Sequence, residues 1–326
     1  MPMKMTKKIL VSAVFAVAAA ISPVHAQDYP QGNINFVVPF PPGGGTDIPA
    51  RLLLQQISQD SGWNFVVENR PGAGGNIGLA QLARSAANGQ YLGMGQTSNL
   101  AVNPSLYSDI PYDSIKDFRH IAVISTQPMV LVTHAKSPIE NMDGFLAAAK
   151  KAPGSILFGT PGSGTVAHLS MELLSGEGGI ELTHVPYPGI AQAISDVMSG
   201  VVDVYIGSLP SVLPHIRSGS IRALAVTSQE RNAVLPDVPT VAESGFAGFD
   251  TADWKGVVGP AGMSDELVTK LNAAINTALQ SESLRQAIEA EGSTVISEDS
   301  QWFSDLLANE LERWAEVVKV SGATVN

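Results

Sequence analysis

Short apolar runs alternate with longer stretches in which apolar residues recur at helical spacing. The runs Ile34–Val38, Phe65–Glu68, Tyr91–Gly95, Arg119–Ile124, Met129–Thr133, Ile156–Phe158, Glu181–His184, Val202–Gly207, Arg222–Thr227 and Trp254–Val258 predict strands. Helices are predicted over Ile48–Ser58, Gly75–Ala86, Met142–Lys150, Val166–Leu174, Ile190–Met198, Pro210–Arg217, Asp265–Gln280, Ser283–Ala290 and Ser300–Ser321. Ser264 stands where an N-cap belongs, ahead of the stripe Leu267, Leu271, Ile275 and Leu279. The last predicted helix carries Phe303, Leu306, Leu307, Leu311, Trp314, Val317 and Val318 on one face and charged residues on the other, so the terminal helices read as a cap packed on a lobe. Strands joined by helical crossovers imply an α/β fold with mainly parallel sheets, in which ligands bind beyond the strand C-termini.

Two predicted strands run directly into glycine-rich turns. Val38 is followed by Pro39-Phe40-Pro41-Pro42-Gly43-Gly44-Gly45-Thr46-Asp47, and Phe158 by Gly159-Thr160-Pro161-Gly162-Ser163-Gly164-Thr165. Each turn opens a predicted helix. Glycine lets the backbone approach a ligand closely, and N–H groups at a helix N-terminus attract an anion. The first turn offers Phe40, the Gly43, Gly44 and Gly45 amides and the Thr46 hydroxyl, with Asp47 at or near the N-cap. The second offers the Thr160, Ser163 and Thr165 hydroxyls and the Gly162 and Gly164 amides. Alone, the first turn is equally well explained as a tight turn with a helix cap. The same device used twice suggests two lobes that grip one carboxylate.

Other polar groups follow predicted strands. Thr97, Ser98 and Asn99, together with Tyr187 and Ser208, are candidates for ligand specificity with no chemistry of their own. The cluster from Arg70 to Asn76 reads as a turn that keeps the backbone clear of the first glycine turn. For His168, one turn into the helix after the second turn, ligand contact and a core or capping role are equally open. Lys255 is a cation inside a mostly apolar strand; it either snorkels to the surface or pairs with a second anionic group of the ligand. Trp254 beside it reads as core.

Several chemistries are disfavoured. No lysine follows Gly164 as a phosphate-binding loop requires, no HExxH pair binds zinc, and no Gly-x-Ser-x-Gly elbow presents a nucleophile. The absence of cysteine removes disulfides, thiolate catalysis and Cys-ligated zinc. No cofactor, no metal and no enzymatic activity are expected. Lys4, Lys7 and Lys8, the apolar run Ile9–Ile21 and the small residue Ala26 form a signal-peptide pattern, predicting cleavage near Ala26 and export to the periplasm. Losing those three lysines leaves 16 basic against 30 acidic residues, a formal charge of −14, which argues against nucleic acid and anionic membrane as partners.

Six ordered segments carry a resemblance over nearly the whole mature length. They are Val37–Asp47, Val67–Asn76, His184–Tyr187, Leu209–Ser211, Arg222–Thr227 and Leu235–Thr240. The chain resembles the periplasmic substrate-binding proteins of tripartite tricarboxylate transporters, the Bug-type receptors. The resemblance implies a two-lobed, Venus-flytrap fold of type II kind with two hinge crossings, placed near Ser125–Pro128 and Phe249–Trp254. Residues 1–26 are then the signal peptide, 27–126 with 250–326 one lobe, and 127–249 the other. It further implies a monomer that holds a small organic acid between the lobes, with no membrane insertion once the signal is cleaved, and passes it to membrane permease subunits. Pro188 and Lys255 depart from the family pattern, which usually has lysine and an aromatic residue there. Lys255 as a counter-charge favours a dicarboxylate, aliphatic or aromatic such as terephthalate. An exported hydrolase of carboxylate or phosphate esters and a ligand-presenting sensor subunit are the alternatives.

Overall fold

Ile34–Val38 (β1) buries Ile34, Phe36 and Val38, then runs through the first glycine turn into Asp47–Ser61 (α1), which returns Leu53, Leu54 and Ile57 to the same core. This computed structural model describes residues 29–321, 323 and 325, so the predicted signal segment lies outside the described residues. Phe65–Asn69 (β2), Asn76–Ala83 (α2) and Tyr91–Gln96 (β3) follow. β2 and β3 both pair parallel with β1, in the order β2-β1-β3. Crossovers that leave toward one neighbour and return to the other make the C-terminal end of β1 a topological switch point, where such sheets bind ligands.

After the π-helical turn Thr97–Val102 and the short helix Asn103–Leu106 (α3) comes Phe118–His134 (β4). The chain continues through Met142–Lys151 (α4), Leu157–Thr160 (β5), Val166–Gly178 (α5), Thr183–Pro186 (β6), Ile190–Ser199 (α6), Val204–Ser208 (β7), Leu209–Arg217 (α7) and Ile221–Val226 (β8). β6 and β7 flank β5 in parallel, so the first arrangement recurs and the second glycine turn also leaves a switch point. Ala252–Pro260 (β9), Asp265–Leu279 (α8), Glu282–Ala290 (α9), Thr294–Val295 (β10) and Ser300–Ser321 (α10) complete the described elements. The Ser264 side chain accepts from Leu267 N–H at 3.2 Å, as its position at the head of α8 predicts.

Two expectations are corrected. Arg119–Ile124 and Met129–Thr133 are one 17-residue strand, because its backbone never lacks a partner. Phe118–Pro128 pairs with β9, Met129–Thr133 with β7 on one side, and Val130–His134 with β8 on the other. Register shifts within β4 let it bend between the two groups of strands. The sheets are also mixed rather than mainly parallel: β4 and β9 run antiparallel to every strand they pair with. The terminal helices do more than cap. Buried Glu310 on α10 accepts from the indole N–H of Trp254 at 3.3 Å and of Trp314 at 2.8 Å, which fastens α10 to β9. No helix among the described residues is long and apolar enough to cross a membrane.

Candidate functional site

The two glycine turns face each other across a cavity of about 330 Å³. The first turn supplies Phe40, Gly44, Gly45 and Thr46 to its wall. The opposite wall is the second turn and the start of α5, with Pro161, Thr165, Val166 and Ala167. The N-terminus of α6 adds Pro188 to Gln192, and Tyr205, Ser208 and Ser211 come from β7 and α7. Gln127 and Met129 of β4, with Asp253 and Lys255 of β9, line the strands that pass between the walls. Three helix N-termini (α1, α5 and α6) therefore border one space, an arrangement that suits an anion.

Of the residues predicted from sequence, Phe40, Gly44, Gly45, Thr46, Ser98, Thr165, Ser208 and Lys255 line this cavity. Ser98 projects from the π-helical turn, and its hydroxyl oxygen accepts from Val166 N–H at 3.1 Å, joining the two walls. The Thr46 hydroxyl donates to Gln96 Oε1. Thr165 caps α5, accepting from His168 N–H at 3.3 Å while donating to the Gly162 carbonyl at 2.8 Å.

The other predicted residues stand behind the cavity wall, most of them committed to a neighbour. Asp47 is a helical residue rather than the N-cap; its carboxylate accepts from Gly43 N–H and Asn69 Nδ2 at 2.9 Å and from Arg51 Nε at 2.8 Å. Burial raises its pKa, but these partners outweigh that and hold it below the ordinary carboxylate value. Gly43 is the donor in that network and does not face the cavity. Thr97 Oγ1 accepts from Trp254 N–H at 2.9 Å, and Asn99 Oδ1 accepts from Gln96 N–H at 2.9 Å. Thr160 Oγ1 bonds His184 Nε2 at 2.7 Å and accepts from Gly162 N–H at 3.2 Å, so Thr160 and Gly162 shape the turn from within. Ser163 and Gly164 lie off the wall as well. His168 is buried under the second turn, where Nδ1 accepts from Gly164 N–H at 3.3 Å and the ring stacks on His184 at 4.1 Å between centroids. Tyr187 donates to Asp196 at 2.8 Å; burial, and then Asp196, push its pKa up to about 12.

Sequence reasoning missed Asp253. Alternation along β9 puts Asp253 and Lys255 on the cavity face and Trp254 on the other, where its ring meets Phe303 edge-on at 5.3 Å. Lys255 is 1% exposed and donates to Asp253 Oδ2. Burial lowers the Lys255 pKa, and the Asp253 charge opposes that shift. The spacing of the two residues was the available signal. Gln127, Tyr205 and the head of α6 reach the cavity only through topology, and no local pattern marks them.

The model of the tripartite tricarboxylate transporter family receptor (TctC) matches residues 49–323. Over 323 residues the chain is 39% identical to protein BugT of Bordetella pertussis, covering 98% of this chain and 99% of that one. A protein of R. palustris solved with adipate is 34% identical and superposes with a TM-score of 0.88, over 91% of this chain and 99% of that chain. MatC from Rhodopseudomonas palustris, solved with bound malate, is 29% identical with a TM-score of 0.84, over 89% and 100%.

Proposed function

Because the chain belongs to the tripartite tricarboxylate transporter receptor family, we propose that its cavity captures a small organic carboxylate and presents it to a membrane permease. Members of this family are periplasmic solute-binding receptors and not enzymes, which sets an exported hydrolase aside. The observation that carries the reading is the pair of glycine turns at two switch points, facing each other across one cavity. Donors of this kind hold a carboxylate by charge-assisted hydrogen bonds once water is displaced. The two lobes are 27–126 with 250–326, and 127–249. They hinge where β4 passes from β9 to β7 and β8, and where the chain returns through Phe249–Trp254; the end of the β4–β9 ladder at Pro128 and Ala252 supports that placement.

The finer reading is a dicarboxylate. Lys255 lies in the same cavity as the turns, and the adipate and malate of the neighbouring structures are both dicarboxylates. Terephthalate is a rigid alternative of the same class. The test is a thermal-shift screen of the chain from Gln27 onward against mono-, di- and tricarboxylates, with nucleotides as controls. A ligand of the folded state adds about 2.7 kcal/mol at a hundredfold excess over its Kd. Shifts with carboxylates alone support the reading; shifts with none of them sink it.

A further inference from the structure

Among the described residues, Asp253 and Lys255 are the only charged side chains on the cavity wall. They satisfy each other in part. Lys255 Nζ donates to Asp253 Oδ2, while Asp253 Oδ1 is buried with no hydrogen-bond partner. The two glutamines nearest the pair, Gln96 and Gln127, are already engaged. Gln96 Oε1 accepts from Thr46 and its Nε2 donates to Ser98 at 3.4 Å. Gln127 Nε2 donates to the Gly45 carbonyl at 3.5 Å, and its Oε1 accepts from Ser293 at 3.1 Å. The side-chain charge of the wall thus sums to zero, and one carboxylate oxygen is left over.

The glycine turns, at helix N-termini, favour an acceptor group of the ligand. The β9 pair offers an acceptor beside a cation, which is a different demand. A dianion without donors meets the Asp253 charge wherever it meets Lys255, and it leaves Oδ1 unsatisfied when water is excluded. A ligand that carries a hydroxyl or ammonium group next to a carboxylate satisfies both. Its donor goes to Asp253 Oδ1, and its carboxylate takes one of the remaining N–H bonds of Lys255.

The geometry points to Asp253 as the residue that selects the solute, by accepting a hydrogen bond from a hydroxyl or ammonium group borne next to a carboxylate. The ligand class is then hydroxy- or amino-substituted acids rather than plain ones. This rests on the cavity being the carboxylate site proposed above. Lys255 has two parts in it: it cancels the Asp253 charge so that an anion can enter, and it holds the carboxylate adjacent to the donor. Sites that leave a buried polar group unmatched reject the analogue lacking its partner far more strongly than apolar pockets reject a missing methylene.

The experiment is titration calorimetry of the chain from Gln27 onward with two matched series: succinate, malate and aspartate, then glutarate, 2-hydroxyglutarate and glutamate. In at least one series a substituted acid is expected to bind about tenfold or more tightly than its plain parent, and the stronger arm tells hydroxyl from ammonium. In D253A/K255M, which removes both charges together so that neither is stranded, the ratio of substituted to plain is expected to fall below about threefold. Should that variant fail to fold, the wild-type ratios alone decide. Plain acids that bind wild type as well as substituted ones, or a preference that survives in D253A/K255M, overturn the role of Asp253 while leaving the carboxylate reading intact. A panel in which no acid binds overturns both.

Discussion

Gly45 faces Ser208 so closely that a Cβ on it would lie 2.2 Å from Ser208 Oγ and 3.0 Å from Ser208 Cβ. The first glycine turn and the end of β7 therefore meet through a gap that admits only hydrogen. Gly45→Ala is expected to hold the cavity walls apart and weaken carboxylate binding about tenfold, or ~1.4 kcal/mol. Ser208→Gly in the same chain removes two of the three crowded atoms, leaving Gln127 Nε2 at 2.9 Å, and is expected to restore part of that loss. Calorimetry on the single and double variants checks this, and unchanged affinity in Gly45→Ala refutes it.

Asp47 holds the first turn in shape without facing the cavity. Asp47→Ala removes the acceptor of the Gly43 N–H and one of two acceptors of the Asn69 amide, which keeps the Phe40 carbonyl, at a cost of about 1 kcal/mol. The Asp47 pKa is lowered on folding, so the folded state takes the proton less readily than the unfolded one. Its contribution is therefore whole above the unfolded carboxylate value of ~3.9 and is lost as pH falls through the folded value. Urea titrations should show a steady gap between wild type and Asp47→Ala from pH 7 to 5, narrowing below about pH 4. A gap that stays constant into stronger acid counts against this account.

Glu310 ties together Trp254, Trp314 and, through Oε1, Arg313 at 3.0 Å. Glu310→Ala leaves two buried indole donors without acceptors and is expected to cost about 2–4 kcal/mol. Glu310→Gln keeps an acceptor oxygen and should cost clearly less. If chemical denaturation finds the two variants equally stable, the indole bonds are not what fastens α10.

The His184 ring stacks on His168 and, at 4.9 Å, on Phe158. Burial, and then the nearby His168, push its pKa down to about 3. An unfolded histidine takes its proton near ~6.5, so acidification between those values favours the unfolded chain and stability falls. Tm is expected to drop from pH 7 to pH 5, with a shallower drop in His184→Gln. Some slope should remain, because burial lowers the His120 pKa as well. Parallel slopes in the two proteins would remove His184 as the cause.

The glycine turns were legible because their meaning is local: an apolar strand, a backbone free of Cβ atoms, and a helix start all lie in one stretch of chain. Lys255 was legible as an oddity of composition. Its partner was not, since Asp253 looks like an ordinary polar residue until strand alternation places it beside Lys255 on the cavity face. Thr160 reads as a ligand group because its partner His184 sits on another strand and meets it only in the folded chain, whereas Arg51 and Glu172 stand one helical turn from Asp47 and His168, a spacing already present in the sequence. The break expected in β4 came from the polar run Ser125–Pro128, whose hydrogen bonds go to β9, more than 120 positions further along the chain in the Ser125–Lys255 pairing.

That uninterrupted strand bears on how the receptor meets its solute. β4 is paired along its length, first with β9 and then with β7 and β8, so the two halves of the molecule cannot swivel about it as about a loose tether. Opening must flex a ladder, and the deformation is shared elastically over several residues. Lobes joined through such a ladder would sample few open orientations, and little orientational entropy would be lost in bringing the walls together. Capture should then be paced by diffusion of the solute into the mouth rather than by a slow search among lobe orientations.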